Sequence, residues 1–187
     1  MSYITYSNAI TVNNKTWWVN STGSGLYTKP LKAMINQVEA MLSHHSRVFL
    51  LRFDLRLYQY TAKNTLVSIF NRRLFKWLYR KYDLKRIGFL WCREQEKAEQ
   101  QHYHYALLVD GSKVRHPFEI NKKVRELWRS LGGAEFFPKS CYYNLHRSNW
   151  QSVQDAVWRI SYFAKARGKD KRPSQTKRFG HSRVPIK

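Results

Sequence analysis

A strict alternation of side chains over residues 47–58, RVFLLRFDLRLY, constrains the fold more than any other feature of the chain. Every odd-numbered position from 49 to 57 is apolar, whereas the even-numbered positions turn polar from Arg52 onward. Successive side chains of a strand point to opposite faces, so this pattern predicts a long strand with one face on a core. Asp54 and Arg56 share the polar face of that strand.

The spacing of apolar residues predicts the other elements around this strand. Helical spacing predicts helices over 29–44, 65–82, 118–131 and 149–166. Further strands are predicted over 86–94, 102–109 and 139–146. The order helix, β-α-β-β-α-β, helix predicts an α+β fold of the split ferredoxin-like type. Its four- to five-stranded antiparallel sheet would carry an additional C-terminal helix.

The charge of the chain indicates which class of molecule it binds. The sequence has 34 lysines and arginines against 12 acidic residues, a formal net charge of +22. Such self-repulsion does not favour folding, and its usual compensating partner is a polyanion. Nucleic acid is favoured over an anionic membrane, because no basic amphipathic anchor stands at either end. Aromatic residues, 16% of the chain, suit a core and also base stacking on single strands.

Composition divides the chain into an N-terminal arm (1–27), a domain (28–166) and a basic C-terminal tail (167–187). The arm is polar, and the apolar signal disappears from residue 167 onward. We expect the tail to be mobile, or ordered only on DNA. No signal peptide is visible, no apolar run approaches a membrane span, and two cysteines make no disulfide framework. These features predict a cytoplasmic protein without a membrane partner.

His102-Tyr103-His104 is the first segment that carries chemistry. On a strand the two imidazoles share one face with Tyr103 opposite, so both can bind one divalent ion. An isolated His-x-His pattern is also common on half-exposed strands that bind no metal.

The predicted hairpin adds a carboxylate to the two histidines. If the loop is centred near Ala98, Glu94 lies opposite the first histidine and Cys92 opposite the second. Two imidazoles and one carboxylate suit an open Mn²⁺ or Mg²⁺ site. We rank Glu94 first as the third ligand, then Glu96, then Asp54.

Tyr162-Phe163-Ala164-Lys165 is the second such segment. Positions i and i+3 of a helix share a face, so the phenol and the ammonium of Tyr162 and Lys165 could reach one phosphate together. Trp158 and Arg159 extend the same surface. Alone, the pattern also fits an ordinary boundary between the apolar and polar sides of a helix.

Together and in this order, these segments resemble the HUH superfamily of single-strand DNA nicking enzymes. VFLLRFDL at 48–55 resembles their first motif strand, and His102-Tyr103-His104 before apolar Tyr105–Val109 resembles their metal motif. Tyr162-Phe163-Ala164-Lys165 resembles their nucleophile helix. Replication proteins of filamentous phages and related prophage elements have a Trp-x-Arg-Glu strand, which is similar to Trp91-Cys92-Arg93-Glu94. The resemblance covers about residues 47–166.

The resemblance implies an enzyme that nicks and rejoins single-stranded DNA through a covalent 5′-phosphotyrosine and so starts rolling-circle replication. Tyr162 would be the nucleophile and Lys165 would neutralise the phosphate, while His102, His104 and Glu94 would hold Mn²⁺ or Mg²⁺. Only one tyrosine lies on the nucleophile helix, so a two-tyrosine relay within one chain is not expected.

The expected partners are single-stranded or hairpin origin DNA in a bacterial cytoplasm. The chain has no helicase-type phosphate-binding loop, so host helicase and polymerase would be needed. Two alternatives stay open: a single-strand transposase or mobilisation relaxase of the same superfamily, and a non-catalytic nucleic-acid-binding module. The residues expected to contact DNA are Arg52, Arg56, Trp158, Arg159, Arg167, Lys169, Lys171 and Arg172.

Overall fold

Four helices and a mainly antiparallel sheet make up the computed structural model, which describes residues 3–95, 100–169 and 173–187. The predicted α+β class is confirmed. The helices are α1 (Thr28–His44), α2 (Thr65–Tyr82), α3 (Phe118–Arg129) and α4 (Trp150–Ser161). The strands are β1 (Ile4–Thr5), β2 (Ala9–Val12), β3 (Lys15–Trp18), β4 (Leu26–Tyr27), β5 (Arg47–Leu57), β6 (Gly88–Glu94), β7 (His102–Asp110), β8 (Gly133–Phe136), β9 (Tyr142–His146) and β10 (Phe179–His181).

The main sheet has β7 at its centre, between β5 and β6, and all its pairings are antiparallel. Strand β10 pairs with the outer edge of β6. The outer edge of β5 is shared by two strands: β9 pairs with its first half and β8 with its second half. The sequence did not predict β8 or β10. Two small ribbons, β1 with β4 and β2 with β3, precede the sheet along the chain.

The alternation in β5 separates two cores. Its odd-numbered residues from Phe49 to Leu57 pack with apolar side chains of α2 and α3. Its residues Val48 and Leu50 pack with α1 and α4 on the opposite face. Arg52 and Asp54, at the polar end of that second face, are also buried. Within the described residues, no helix is long and apolar enough to cross a membrane.

The terminal segments differ from the predicted arm and tail. Val12, Trp17 and Leu26 are buried in the same core as α1 and α4, so the first segment packs as part of this layer. At the other end, Phe179 packs on that core and β10 adds a strand to the sheet. The low hydrophobic content of this segment gives no sign of a strand, because backbone hydrogen bonds also hold an edge strand in place.

We expect Gly180→Ala to lower the melting temperature, because β10 leaves no room for a side chain there. An added Cβ would lie 2.3 Å from Cε2 of Trp91, the residue that pairs with Gly180. Overpacking of this kind costs about 1–3 kcal/mol of unfolding free energy. Thermal unfolding measures the effect, and the exposed Arg183→Ala is the control. Equal melting temperatures for the two variants would mean that β10 does not pack on the sheet as described.

Candidate functional site

The β6–β7 register brings three potential metal ligands together. Glu94 pairs with His102 and Cys92 pairs with His104, which confirms the register predicted from the sequence. Ligand atoms of Glu94, His102 and His104 lie within 4.8 Å of one another. Because all three side chains lie on adjacent strands and on one face, the sheet itself sets their separation.

Asp54 orients one of these ligands. It pairs with His104 across β5 and β7, and its Oδ1 lies 2.7 Å from Nδ1 of that histidine. An ionised carboxylate only accepts hydrogen bonds, so Nδ1 carries a proton and Nε2 is the nitrogen that can bind a metal once it has lost its own proton. This Nε2 lies 3.3 Å from Oε2 of Glu94, and no hydrogen bond satisfies it among the described residues although it is buried. A buried nitrogen in this state fits a metal ligand.

The charges of the three side chains also suit a cation. Burial opposes the ionisation of Glu94, but His104 and Lys169 outweigh it and lower the pKa of Glu94 to about 2. Burial and the neighbouring His104 lower the pKa of His102 to about 4, so His102 is neutral near pH 7. Burial likewise opposes the charge on His104, but the two flanking carboxylates raise its pKa. A metal that binds at Nε2 therefore replaces a proton.

Two expected DNA contacts, Arg52 and Lys169, are instead buried around the ligand cluster. The Arg52 Nη2 lies 3.4 Å from Oδ1 of Asp54. The Lys169 side chain reaches the cluster from the segment after α4, and its Nζ donates to Oε2 of Glu94 over 3.0 Å. Gly168, with φ of 74°, lets this segment pass close to Glu94, since a Cβ there would lie 2.8 Å from the glutamate Cγ. No spacing in the sequence indicates the Lys169–Glu94 pair.

Tyr162 lies beside the ligand cluster. Its ring centroid is 5.3 Å from that of His104, and the two planes are nearly perpendicular at 79°. Phe163 stacks on the same imidazole at 5.8 Å and is fully buried. Tyr162 itself is half-buried, and burial followed by the charge of Glu94 raises its pKa. A potential nucleophile and a potential metal site therefore share one histidine as a neighbour.

Lys165 is close to Tyr162, but the backbone that connects them is not the predicted α-helix. Helix α4 ends at Ser161, Tyr162–Ala164 forms a 3₁₀ turn, and Lys165 is extended with ψ of 137°. The Lys165 Nζ donates to the carbonyl of Thr22 and lies 5.7 Å from the Tyr162 ring centre. A cleft of about 200 Å³ opens at this point, and its lining includes Glu94, Tyr162, Lys165 and Arg167.

The other residues that the sequence predicts as DNA contacts are spread over different parts of the surface. Trp158 is 45% exposed and Arg159 is partly buried on α4. Arg56 is exposed and stacks on Phe136, and it pairs with His102 across β5 and β7. Its charge adds to the lowering of the pKa of His102. Arg167 is exposed at the edge of the cleft. Glu96, Ala98, Lys171 and Arg172 lie outside the described residues.

A family model, the YagK/YfjJ C-terminal domain, matches residues 9–182. The chain belongs to the YagK/YfjJ C-terminal domain family. The match extends from β2 to β10 and thus includes both terminal segments that pack on the central domain. No curated protein and no solved structure matches the chain significantly.

We expect Lys169→Met to raise the affinity for Mn²⁺ about tenfold or more. The ammonium of Lys169 lies 3.0 Å from a ligand oxygen of Glu94, so it competes with a dication for this carboxylate. The ammonium also repels the dication. Isothermal calorimetry at constant pH measures the change. Lys165→Met is the matched control, since its ammonium binds a backbone carbonyl and should change affinity much less. Weaker Mn²⁺ binding by Lys169→Met would mean that the lysine supports the site instead of competing with the ion.

Proposed function

We propose that this protein nicks and rejoins single-stranded DNA through a covalent bond to Tyr162, with assistance from a divalent metal, and that nicking an origin in this way starts rolling-circle replication of a phage or mobile element. The observation that carries the proposal is the contact of Tyr162 with His104, one of three clustered metal-ligating side chains. A phenol beside a candidate metal site suits metal-assisted phosphoryl transfer to tyrosine.

Glu94, His102 and His104 would hold Mn²⁺ or Mg²⁺. Three protein ligands leave coordination positions open for water or a phosphate oxygen. When bound, such a cation polarises the scissile phosphodiester and neutralises developing charge. The unsatisfied Nε2 of His104 and the ionised Glu94 support this fit. The cysteines take no part in this scheme. Cys92 is buried in the core, and burial raises its pKa to about 12, while Cys141 lies in the core on the opposite face of the sheet.

The reaction exchanges one phosphate ester for another. The Tyr162 oxygen attacks the phosphorus and loses its proton to solvent, and the bond from phosphorus to the leaving 3′-oxygen breaks. That oxygen takes up a proton and becomes a free 3′-hydroxyl, while the 5′-phosphate stays on Tyr162. The bond is conserved, so a 3′-hydroxyl can later attack the phosphotyrosine and rejoin the strand.

The resting surroundings of Tyr162 disfavour its anion, but nearby cations would offset part of that cost during attack. Burial and the charge of Glu94 raise its pKa, but the cations of Lys169 and Arg52 oppose that shift. The ammonium of Lys165, 5.7 Å from the ring centre, lies at the same cleft and could neutralise a phosphate there. These are groups that stabilise negative charge on both the attacking oxygen and the phosphate.

The fold and the charge support the same proposal. The order β5-α2-β6-β7-α3-β8-β9 is compatible with a split ferredoxin-like arrangement that has β8 inserted and α4 as the additional helix. A net charge of +22 favours a polyanionic substrate. Host helicase and polymerase would extend the free 3′-hydroxyl, and a transposase or mobilisation relaxase would use the same chemistry on another target.

A covalent-adduct assay tests the proposal without knowledge of the origin. The full chain is incubated with Mn²⁺ and a pool of unpaired and hairpin oligonucleotides that contain a randomised segment. With a 3′ label, we expect a labelled protein band that resists SDS, because the fragment downstream of the nick stays on Tyr162. The same pool with a 5′ label should give no band. Binding of the pool without any adduct would instead favour a non-catalytic nucleic-acid-binding module.

A further inference from the structure

A second, larger groove lies between the beginning of α1 and the C-terminal segment. Its volume is about 910 Å³, which is typical of a pocket that encloses a sizeable ligand. Four of the residues that line it are basic or imidazole side chains: Lys29, Lys177, Arg178 and His181. None of its lining residues in the described chain is acidic, whereas other clefts include Glu39 or Asp110. The groove therefore suits an anionic ligand.

The groove and the cleft at Tyr162 are bordered by the same segments of the chain. Leu26 forms a bridge with Lys165, and Tyr27, the next residue, lines the groove. From the other side, Phe179 lines the groove and pairs with Cys92, two residues before Glu94 on the same face of β6. A strand held at the cleft therefore lies within reach of the groove.

Hydrogen bonds hold the walls of the groove in place. The Arg178 Nη1 donates to the Tyr27 hydroxyl over 2.9 Å, and its guanidinium lies 5.3 Å from the ring centre. The carbonyl of Lys177 accepts a hydrogen bond from Nδ2 of Asn64, also over 2.9 Å. The ammonium groups of Lys29 and Lys177 are exposed, and no acidic side chain pairs with either in the described parts of the chain. Fixed walls with two cations still available form a prepared anion site.

We propose that this groove binds the sugar-phosphate backbone of the single strand next to the nicked phosphate, with Lys29 and Lys177 as phosphate contacts. The inference rests on the proposed function for the position of the nick. A single strand is the polymer on which the proposed nicking acts, and its flexible backbone can follow a groove bordered by one helix end and the C-terminal segment. Each phosphate that a lysine neutralises releases condensed counterions and makes binding depend on salt.

The test compares two variants with the same net charge. Lys29→Glu with Lys177→Glu reverses charge in the groove. Lys76→Glu with Lys122→Glu reverses charge on exposed positions of α2 and α3, on the opposite side of the sheet. A fluorescent thymidine oligonucleotide is titrated with each protein over a salt series. For the groove variant we expect about tenfold weaker binding than for the control, and a log–log salt slope that is flatter by about 1.4, since each single-strand contact contributes about 0.7.

The outcomes separate the groove from the nicking reaction. The groove variant should still form the Tyr162 adduct at saturating DNA, because the ligand cluster and the phenol are unchanged. Equal affinities and slopes for the two variants would overturn the groove assignment even if nicking is observed. Conversely, absence of an adduct in the wild-type protein would remove the nicking proposal, while a loss specific to the groove variant would still identify the path of the strand. Oligonucleotides extended on one side of the nick then assign the bound flank: only one extension should strengthen wild-type binding.

Discussion

Replacing Tyr162 with phenylalanine should reduce the covalent protein–DNA adduct to below detection. The substitution removes only the hydroxyl that we propose attacks phosphorus, and the ring keeps its contact with His104 at 5.3 Å. Affinity for the uncleaved strand should therefore stay within about twofold, as for substitutions that leave packing intact. Gel analysis of the 3′-labelled adduct and a binding titration of the same preparation give the two values.

Tyr142→Phe is the matched control for this experiment. Tyr142 is also partly exposed, but it stacks on Phe49, whose side chain belongs to the α2 and α3 core. Tyr142 therefore lies on the sheet face opposite the ligand cluster. The Tyr142→Phe variant should form the adduct at the wild-type level. An adduct that persists in Tyr162→Phe and maps by mass spectrometry to Tyr142 or Tyr143 would show that the nucleophile is wrongly assigned.

His102→Ala should weaken Mn²⁺ binding by about a hundredfold or more, since it removes one of three clustered ligands. His102 is only partly buried, so the domain should remain folded. Calorimetric titration with Mn²⁺ measures the affinity, and the exposed His116→Ala is the control. Mn²⁺ binding that is unchanged in His102→Ala would refute the ligand set.

The further removal of His104 should also lower the melting temperature. From the sequence alone, loss of both histidines is expected to leave folding intact, because the site is predicted on an open sheet face. In the structure His104 is 6% exposed and lies between Asp54 and Glu94. Its removal leaves two buried carboxylates without this partner, which costs about 1–3 kcal/mol or more. Thermal unfolding of His102→Ala with and without His104→Ala separates the metal effect from the folding effect.

The ligand cluster was predictable because strand periodicity and hairpin register act over short sequence distances. His102 and His104 are two residues apart on one strand, and Glu94 is placed by the connection between β6 and β7. The strand over 47–58 and the helix over 65–82 were predictable for the same reason, since their apolar spacing is regular. Asp54 was a third choice as ligand, and its hydrogen bond to His104 gives it an orienting position instead.

The parts that sequence reasoning missed depend on contacts between distant segments. Lys169 meets Glu94 over 75 positions of the chain, and nothing near either residue indicates the pair. Strand β10 joins β6 through backbone hydrogen bonds, so its side chains carry little signal. The 3₁₀ turn at Tyr162–Ala164 ends a helix whose apolar spacing continues through Ala164. The prediction that Tyr162 and Lys165 share one face of a helix was therefore wrong. The two side chains are nevertheless close to each other.

The position of the ligands in the sheet has a consequence for how the ion would come and go. Glu94, His102 and His104 lie on two strands that are paired from Gly88 to Glu94 on β6, and β7 has a neighbour on each side. Their separation is thus set by the fold and does not need the ion. Sites of zinc-finger type collapse when a chelator removes the metal, because the metal there supplies the folding free energy. A centre built on paired strands instead acts as a rigid socket: the ion can be stripped and exchanged for another while the polypeptide remains native, so the ion in use would follow from what the cell supplies.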